Sequence, residues 1–312
     1  MNTIKVELFG NDPKIQRAVQ TAKNVAVTKA TVLISGEAGL GKRTLARYIH
    51  QLSNRSEKPF QIIDCSVDEK TVENNILGFR EPETGRFVKG ALESSNGGTV
   101  VFSNVDGLSE EFQKRLHKIL TELEDYDINI RIIATTCKNL SKLVGSGRFY
   151  RGLYTFVSSN SINLIPLRER ENDLASISDF YVSYYGSQQN KEVALDDAAR
   201  TKIISHYWTH NVEELKAVIE ASVNDLEGNV LTDTDLQIGK KKTVSMATDS
   251  DGEGIRLMSL KEAEKLLIKK ALIHTSENRT QAAKILGVSI RTLRNKINEY
   301  RNSGSVYFVN LR

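Results

Sequence analysis

The residues best suited to chemistry lie in Gly36-Glu37-Ala38-Gly39-Leu40-Gly41-Lys42-Arg43-Thr44, which follows the apolar run Thr31-Val32-Leu33-Ile34 and opens a helical pattern. A glycine-rich turn between strand and helix lets backbone N–H groups wrap phosphate oxygens, and the helix N-terminus and a lysine add positive charge. Lys42 is that lysine, and every position from Gly36 to Thr44 is a candidate nucleotide-binding residue. The alternative is a turn kept only for folding. A serine or threonine directly after the lysine usually ligates Mg²⁺, but here Arg43 stands in that place and Thr44 comes one later. A second buried strand, Gly98-Thr99-Val100-Val101-Phe102, should end in carboxylates that hold the metal and polarise water. It ends in Ser103-Asn104. The pattern therefore predicts polyphosphate binding without efficient hydrolysis. No catalytic or metal-ligating residue is assigned, and Mg²⁺ is not expected to be held tightly.

Such a loop needs a sheet behind it. Strand-like runs fall at Thr31–Ser35, Phe60–Cys65, Thr99–Phe102, Ile130–Thr135 and Ser161–Leu164, with helical patterns between them at Pro13–Val25, Lys42–Leu52 and Glu110–Glu124. That alternation predicts an α/β fold with a parallel sheet covered on both faces. Residues 171–238 read as wholly helical, with helices over Asp173–Gly186, Asp196–His206 and Asn211–Glu227. The expected organisation is an α/β phosphate-loop core (1–170), a helical lid (171–238), a flexible linker (239–257), a small all-α domain (258–302) and a tail (303–312). The chain has no apolar run long enough to span a bilayer, and its start lacks a signal peptide's charge and apolar stretch. Cys65 and Cys137 lie in apolar strand-like contexts and read as buried reduced thiols, so a cytoplasmic location is expected. The five histidines show no ligand spacing.

The net charge of +4 is uneven. Residues 258–302 hold ten Lys/Arg against four Asp/Glu, whereas residues 1–238 carry a net −4. A basic end on a slightly acidic body points to nucleic acid. Leu260, Ala263, Leu267 and Ala271 repeat at helical spacing and predict a long first helix with an apolar stripe. Asn278-Arg279-Thr280-Gln281 reads as a helix cap, Gly287 as a tight turn and Ser289 as the next cap. Leu293 and Ile297 then face inward, leaving Arg291, Arg294, Asn295 and Lys296 on the outer face. This is the pattern of a helix-turn-helix whose second helix enters a major groove. A protein-binding helical hairpin is the competing reading.

From about Gly10 to Tyr300 the chain resembles the AAA+ activators of sigma-54 RNA polymerase. The likeness rests on Gly36–Leu45, Gly97-Gly98-Thr99, Arg131-Ile132-Ile133-Ala134-Thr135, Leu164-Ile165-Pro166-Leu167-Arg168-Glu169-Arg170 and, in degraded form, Trp208–Leu215. The resemblance implies an AAA+ P-loop domain with a helical lid and a separate Fis-type helix-turn-helix domain. The chain begins at the ATPase module, so a member without the family's receiver domain is expected. By resemblance, Ser103-Asn104 replaces an Asp-Glu pair, a sensing asparagine falls near Cys137, and two arginine fingers match Tyr150 and Phe156, with Arg151 one residue off. The lid arginine matches Glu213. The sigma-54 loop would lie between Leu77-Gly78 and Gly90-Ala91-Leu92-Glu93. The eleven residues between Gly78 and Gly90 are fewer than the family pattern has, and Gly85–Ala91 reads as a remnant. At the DNA-binding end, the resemblance assigns Asn278 and Thr280 to phosphates and Ile290, Thr292, Arg294 and Asn295 to bases. Arg291 stands beside Ile290 as a substitute reader.

These positions imply a DNA-binding bacterial transcription regulator with a hydrolysis-deficient AAA+ domain. Its expected partners are double-stranded DNA and other AAA+ subunits, either copies of itself or an active relative. ATP or ADP binding and RNA polymerase contact are left open, and no membrane partner is expected. Two other readings stay open: a sigma-54 activator ATPase using unusual residues, and an interaction protein whose basic helices only dimerise.

Overall fold

The computed structural model describes residues 10–238, 264, 267–268, 271–272, 275 and 279–302. The chain divides into two units, Met1–Lys241 and Lys242–Arg312. The expected linker and tail, Leu260, Ala263 and Asn278 all lie outside the described residues.

The first unit opens with α1 (Pro13–Ala26), where Asp12 accepts the Lys14 N–H and Pro13 takes the first helical position, which needs no N–H. Next come β1 (Val32–Ser35), α2 (Lys42–Gln51), β2 (Phe60–Asp64) and α3 (Glu69–Leu77). A hairpin of β3 (Gly78–Arg80) and β4 (Phe87–Lys89) follows, then the short α4 (Ala91–Ser94) and β5 (Thr99–Ser103). The core continues through α5 (Glu110–Thr121), β6 (Arg131–Thr136), α6 (Leu140–Gly145), α7 (Arg151–Val157) and β7 (Asn160–Asn163).

β1, β2, β5, β6 and β7 form one parallel sheet in the order β2-β5-β6-β1-β7. Every residue of β5 and β6 is buried, as strands covered on both faces must be. Side-chain alternation divides the core. Phe102 and Ile132 face Phe112 and Leu116 of α5, while Val101 and Ile133 face Val19 of α1 and Leu45 and Ile49 of α2. The chain reverses direction across the sheet at β1, between β6 and β7, so a crevice opens at the carboxyl ends of the strands.

The lid comprises α8 (Glu171–Gln188), β8 (Ala194–Leu195), α9 (Asp197–Ser205), α10 (Asn211–Asn224) and β9 (Val230–Leu231). Trp208 is fully buried at its centre, and its indole N–H donates to the Ile203 carbonyl at 2.8 Å. The expectation of a wholly helical lid is corrected here: β8 and β9 pair in parallel. Strands of two residues are too short to carry an alternation signal. The hairpin β3–β4 is also new, since the sequence reading saw only a shortened loop there. α5 ends at Thr121 rather than Glu124, where a 3₁₀ turn (Leu123–Tyr126) takes over. Cys65 is buried, but Cys137 is exposed, because it follows the last residue of β6 and has left the sheet.

In the second unit the described helices are α11 (Arg279–Ile285) and α12 (Ile290–Asn302). They are joined through Gly287 at φ +66°, a left-handed conformation that glycine adopts without strain. Their core joins Ala282 and Ala283 to Leu293, Ile297 and Tyr300, closed by Ile268, Ala271 and Leu272. Ala271 holds its predicted inward place. Leu267 does not: it is 52% exposed, and Ile268 and Leu272 face inward at the helical spacing that includes Ala271. Among the described residues, no helix is long and apolar enough to cross a membrane.

Replacing Trp208 with alanine is expected to lower stability by about 3–5 kcal/mol, read as an earlier urea midpoint for the first unit's transition. A loss below about 1 kcal/mol would mean that the lid does not depend on this ring.

Candidate nucleotide cleft and nucleic-acid interface

The phosphate loop runs from the end of β1 into α2. Gly41 takes φ +81° at the helix N-cap and no side chain caps α2, so its first-turn N–H groups are open to an anion. Gly39, at φ +76°, lies under the lid. A Cβ there would come within 1.8 Å of the His210 carbonyl oxygen, so only glycine fits. The cleft between loop, sheet and lid has a volume of about 480 Å³ and is lined by Ala38 to Thr44, among other residues. Gly36 and Glu37 lie beside it and accept the Lys42 ammonium through their carbonyls, at 2.8 and 2.7 Å. Lys42 also contacts Cys137 Sγ at 3.1 Å.

The lid is fastened to the loop through Glu37. Both carboxylate oxygens of Glu37 accept Arg168 guanidinium N–H groups, at 2.6 and 2.7 Å. Arg168 also lies over the Tyr207 ring, 4.8 Å from its centroid. Asn211, fully buried, donates to the Ala38 carbonyl at 2.8 Å and to Glu37, and accepts from the Leu167 N–H at 2.8 Å. Hydrogen bonding from Arg168 lowers the Glu37 pKa, against a smaller opposing effect of burial.

The end of β5 is built from neutral groups. Ser103 Oγ accepts the Arg43 Nε–H at 2.8 Å and a longer hydrogen bond from Thr135. The Arg43 guanidinium also pairs with Asp64 at the end of β2, which the register sets beside Ser103. Asn104, at φ +57°, donates from its amide to Asp64 at 3.2 Å. Burial pushes the Asp64 pKa up, but hydrogen bonds from Ser66, Arg43 and Asn104 outweigh it and hold the carboxyl at about 2. The next acid along the chain, Asp106, is held by Thr136 at 2.6 Å and Lys138 at 3.2 Å. Mg²⁺ in a phosphate site is held by one or two carboxylates together with waters and the phosphate oxygens. A hydroxyl and an amide beside a guanidinium do not fit that ion. Among the described residues, no group of three or more His, Cys, Asp or Glu could hold a metal.

The positions matched to arginine fingers are half-buried and pack against this subunit's own core. The Tyr150 N–H donates to Gln113 Oε1 at 2.7 Å, and His117 meets the rings of Tyr150 and Phe156 edge-on. Arg151 is exposed at the start of α7. Glu213 does line the cleft, and its N–H donates to the Gly39 carbonyl. Sequence reasoning missed Arg170 and Lys216, which also line it. Lys216 follows Glu213 by three residues, a spacing that places both on one face of α10 and could have revealed it.

In the second unit, Ser289 caps α12 by accepting the Thr292 N–H at 3.0 Å, and the two hydroxyls lie 2.8 Å apart. Ile290, Arg291, Thr292, Arg294 and Asn295 are exposed, as is Thr280 on α11. Lys296 is a correction: it does not share that outer face. It is half-buried, bound to Glu264 at 3.0 Å and Glu299 at 3.5 Å, and Tyr300 donates to the same Glu264 oxygen. Lys296 lies one residue before Ile297, and its long stem lets the ammonium reach back to Glu264.

Because its pKa is depressed, Asp64 contributes stability that is full above the ordinary value of 3.8 and is lost only as pH falls through about 2. A carboxyl-carbon NMR titration should find Asp64 ionised at pH values where ordinary aspartates are half protonated, and Arg43→Ala should raise its midpoint. A wild-type midpoint at the ordinary value would show that this cluster is not formed.

Three family patterns match the chain. The sigma-54 interaction domain covers residues 8–163, the AAA+ ATPase lid domain residues 168–251, and the Fis family of bacterial regulatory proteins residues 259–300. Transcriptional regulatory protein FlbD of Caulobacter vibrioides is 31% identical over 318 residues, spanning 94% of this chain and 70% of FlbD. Regulatory protein AtoC of Escherichia coli is 30% identical over 313 residues, spanning 94% and 67%. Among solved structures, NtrX from Brucella abortus in complex with ADP superposes with a TM-score of 0.67 at 23% identity, over 95% of this chain and 69% of NtrX. At that identity the likeness speaks for the fold. The chain belongs to the sigma-54 interaction domain family of bacterial transcription regulators, with an AAA+ P-loop domain, its helical lid and a Fis-type DNA-binding helix-turn-helix.

Proposed function

We propose that this regulator binds DNA through α12 and uses its AAA+ body as a nucleotide-holding assembly platform that does not hydrolyse ATP efficiently. The end of β5 is the observation that carries this reading. Ser103 and Asn104 supply no negative charge, Ser103 Oγ is engaged by Arg43, and Asp106 is tied away. The end of β5 therefore offers an attacking water no carboxylate to polarise it. Tyr150 and Phe156 cannot stabilise charge on a neighbouring subunit's phosphates, and arginine fingers are worth roughly three to five orders of magnitude in phosphoryl transfer.

Binding is a separate matter from turnover. The open N-terminus of α2, with Lys42 and the docked lid, suits a polyphosphate. NtrX, which shares the fold, has been solved with ADP and with ATP. A body that binds without turnover can join rings with copies of itself or with an active relative and bring its DNA site with it.

On the DNA side, Arg291, Thr292, Arg294 and Asn295, with Ile290, are the residues that reach base edges. Thr280, Asn278 and Ser289 are assigned to the backbone. The phosphate contacts position the helix, and the base contacts select the site.

Phosphate release by the purified protein should stay far below one turnover per second, with or without its DNA. A rate of about one per second or faster would overturn the platform reading. Arg291→Ala and Arg294→Ala should each cost about 1–3 kcal/mol of affinity for a site recovered by genome-wide mapping, read by fluorescence anisotropy. Lys296→Ala should leave that affinity nearly unchanged and lower the unfolding midpoint instead. Equal losses of DNA binding for Lys296→Ala and Arg294→Ala would contradict the assignment of the outer face.

A further inference from the structure

Arg43 departs from the phosphate-loop pattern and Ser103-Asn104 from the carboxylates expected at the end of β5, and the three form one cluster with Asp64: Arg43 and Asn104 bond its carboxylate, and Ser103 bonds Arg43. Arg43 lies in the first turn of α2, one residue after Lys42. Its Nε–H donates to Ser103 Oγ at 2.8 Å, and its Nη2 pairs with Asp64. The register of β2 and β5 puts Asp64 directly beside Ser103. Asn104 donates to the other oxygen of Asp64, which also accepts the Ser66 N–H at 3.0 Å and the Ser66 hydroxyl at 2.6 Å. The guanidinium is thus held by the ends of two neighbouring strands, while among the described residues Nη1 has no hydrogen-bond partner and Arg43 lines the cleft.

Charge sharpens the point. With carboxylates at 103 and 104, the cluster around Arg43 would be negative and would draw in a dication. With serine and asparagine there, Arg43 and Asp64 balance one another. The cleft still leans positive: of the cations that line it, Arg43 is balanced by Asp64 and Arg170 lies beside Asp173, which leaves Lys42 and Lys216 against the carboxylate of Glu213. An arginine is always charged, and its planar fork matches phosphate oxygens.

We propose that the Arg43 guanidinium takes the place of the divalent cation, so that the cleft binds a nucleoside di- or triphosphate as the metal-free anion. Lys42 and Arg43 neutralise the phosphates, and Asp64, Ser103 and Asn104 hold the guanidinium in position. This rests on the reading that the phosphate loop takes nucleotide. It inverts the usual effect of Mg²⁺, which here competes with the protein for the same phosphate oxygens.

Calorimetric titration of the full chain with ATP and with ADP, in excess EDTA and in excess MgCl₂, tests it. Affinity in EDTA should equal or exceed that in MgCl₂. Arg43→Gln should weaken metal-free binding by about tenfold to a hundredfold, the weight of a charge-assisted hydrogen bond. Its thermal unfolding without nucleotide reports whether the variant is folded, and the metal comparison on wild type needs no variant. Binding that requires MgCl₂ would overturn the proposal and leave the nucleotide reading standing. Binding in neither buffer would overturn the nucleotide reading itself. Metal-free binding unchanged in a folded Arg43→Gln protein would remove Arg43 from the role.

Discussion

The carboxylate of Glu37 joins the phosphate loop to the lid of the first unit. It belongs to the phosphate loop, and its partners, Arg168 and Asn211, belong to the lid and the segment leading into it. Because Asn211 also bonds the Ala38 carbonyl and Gly39 lies against His210, the loop's backbone is shaped from outside as well as by its own glycines. Together with the Glu213 N–H bond to the Gly39 carbonyl, this docking sets Lys216 and Glu213 on α10 opposite Lys42 across the cleft.

Around that clamp, the positions that the family resemblance matches to residues of turnover are tied into the scaffold. β5 still forms, because Val100, Val101 and Phe102 bury on both faces of the sheet whatever stands at its end. Each of those positions has structural partners. Ser103 holds Arg43, Asn104 holds Asp64, and Tyr150 and Phe156 pack with His117. A carboxylate or an arginine placed at one of these positions would therefore disturb the contacts its present side chain makes.

The five core strands were legible within a residue or so at each end, because central parallel strands are unbroken apolar runs bounded by turn residues. Helix boundaries at Pro13 and Lys42 were equally plain, since proline and the glycine loop mark them. The hairpin at Gly78–Lys89 and the β8–β9 pair were not legible. Both are made of strands of two or three residues, held by partners distant in sequence or by tight turns. Cys137 looked buried because its neighbours before it are strand residues, but the strand ends one residue earlier. Leu267 and Lys296 show the same limit on helices. Periodicity names a face, but which residue turns inward depends on the partner helix, and Glu264 decides where the Lys296 ammonium lies.

The sequence alone determined the phosphate loop, the order of strands and helices, the neutral end of β5 and the helix-turn-helix with its glycine turn. These are local properties, written in residue type and spacing. Tertiary structure alone decided which of those residues meet. Arg43, Asp64 and Ser103 are far apart in the chain, and the parallel register of β2 and β5 brings the latter two side by side at the first turn of α2. An arginine after the loop lysine reads in sequence as a missing metal ligand. In the fold it is a cation already held by a carboxylate. The difference arises because charge acts through space, and the distances across a sheet are set by strand pairing and not by position in the chain.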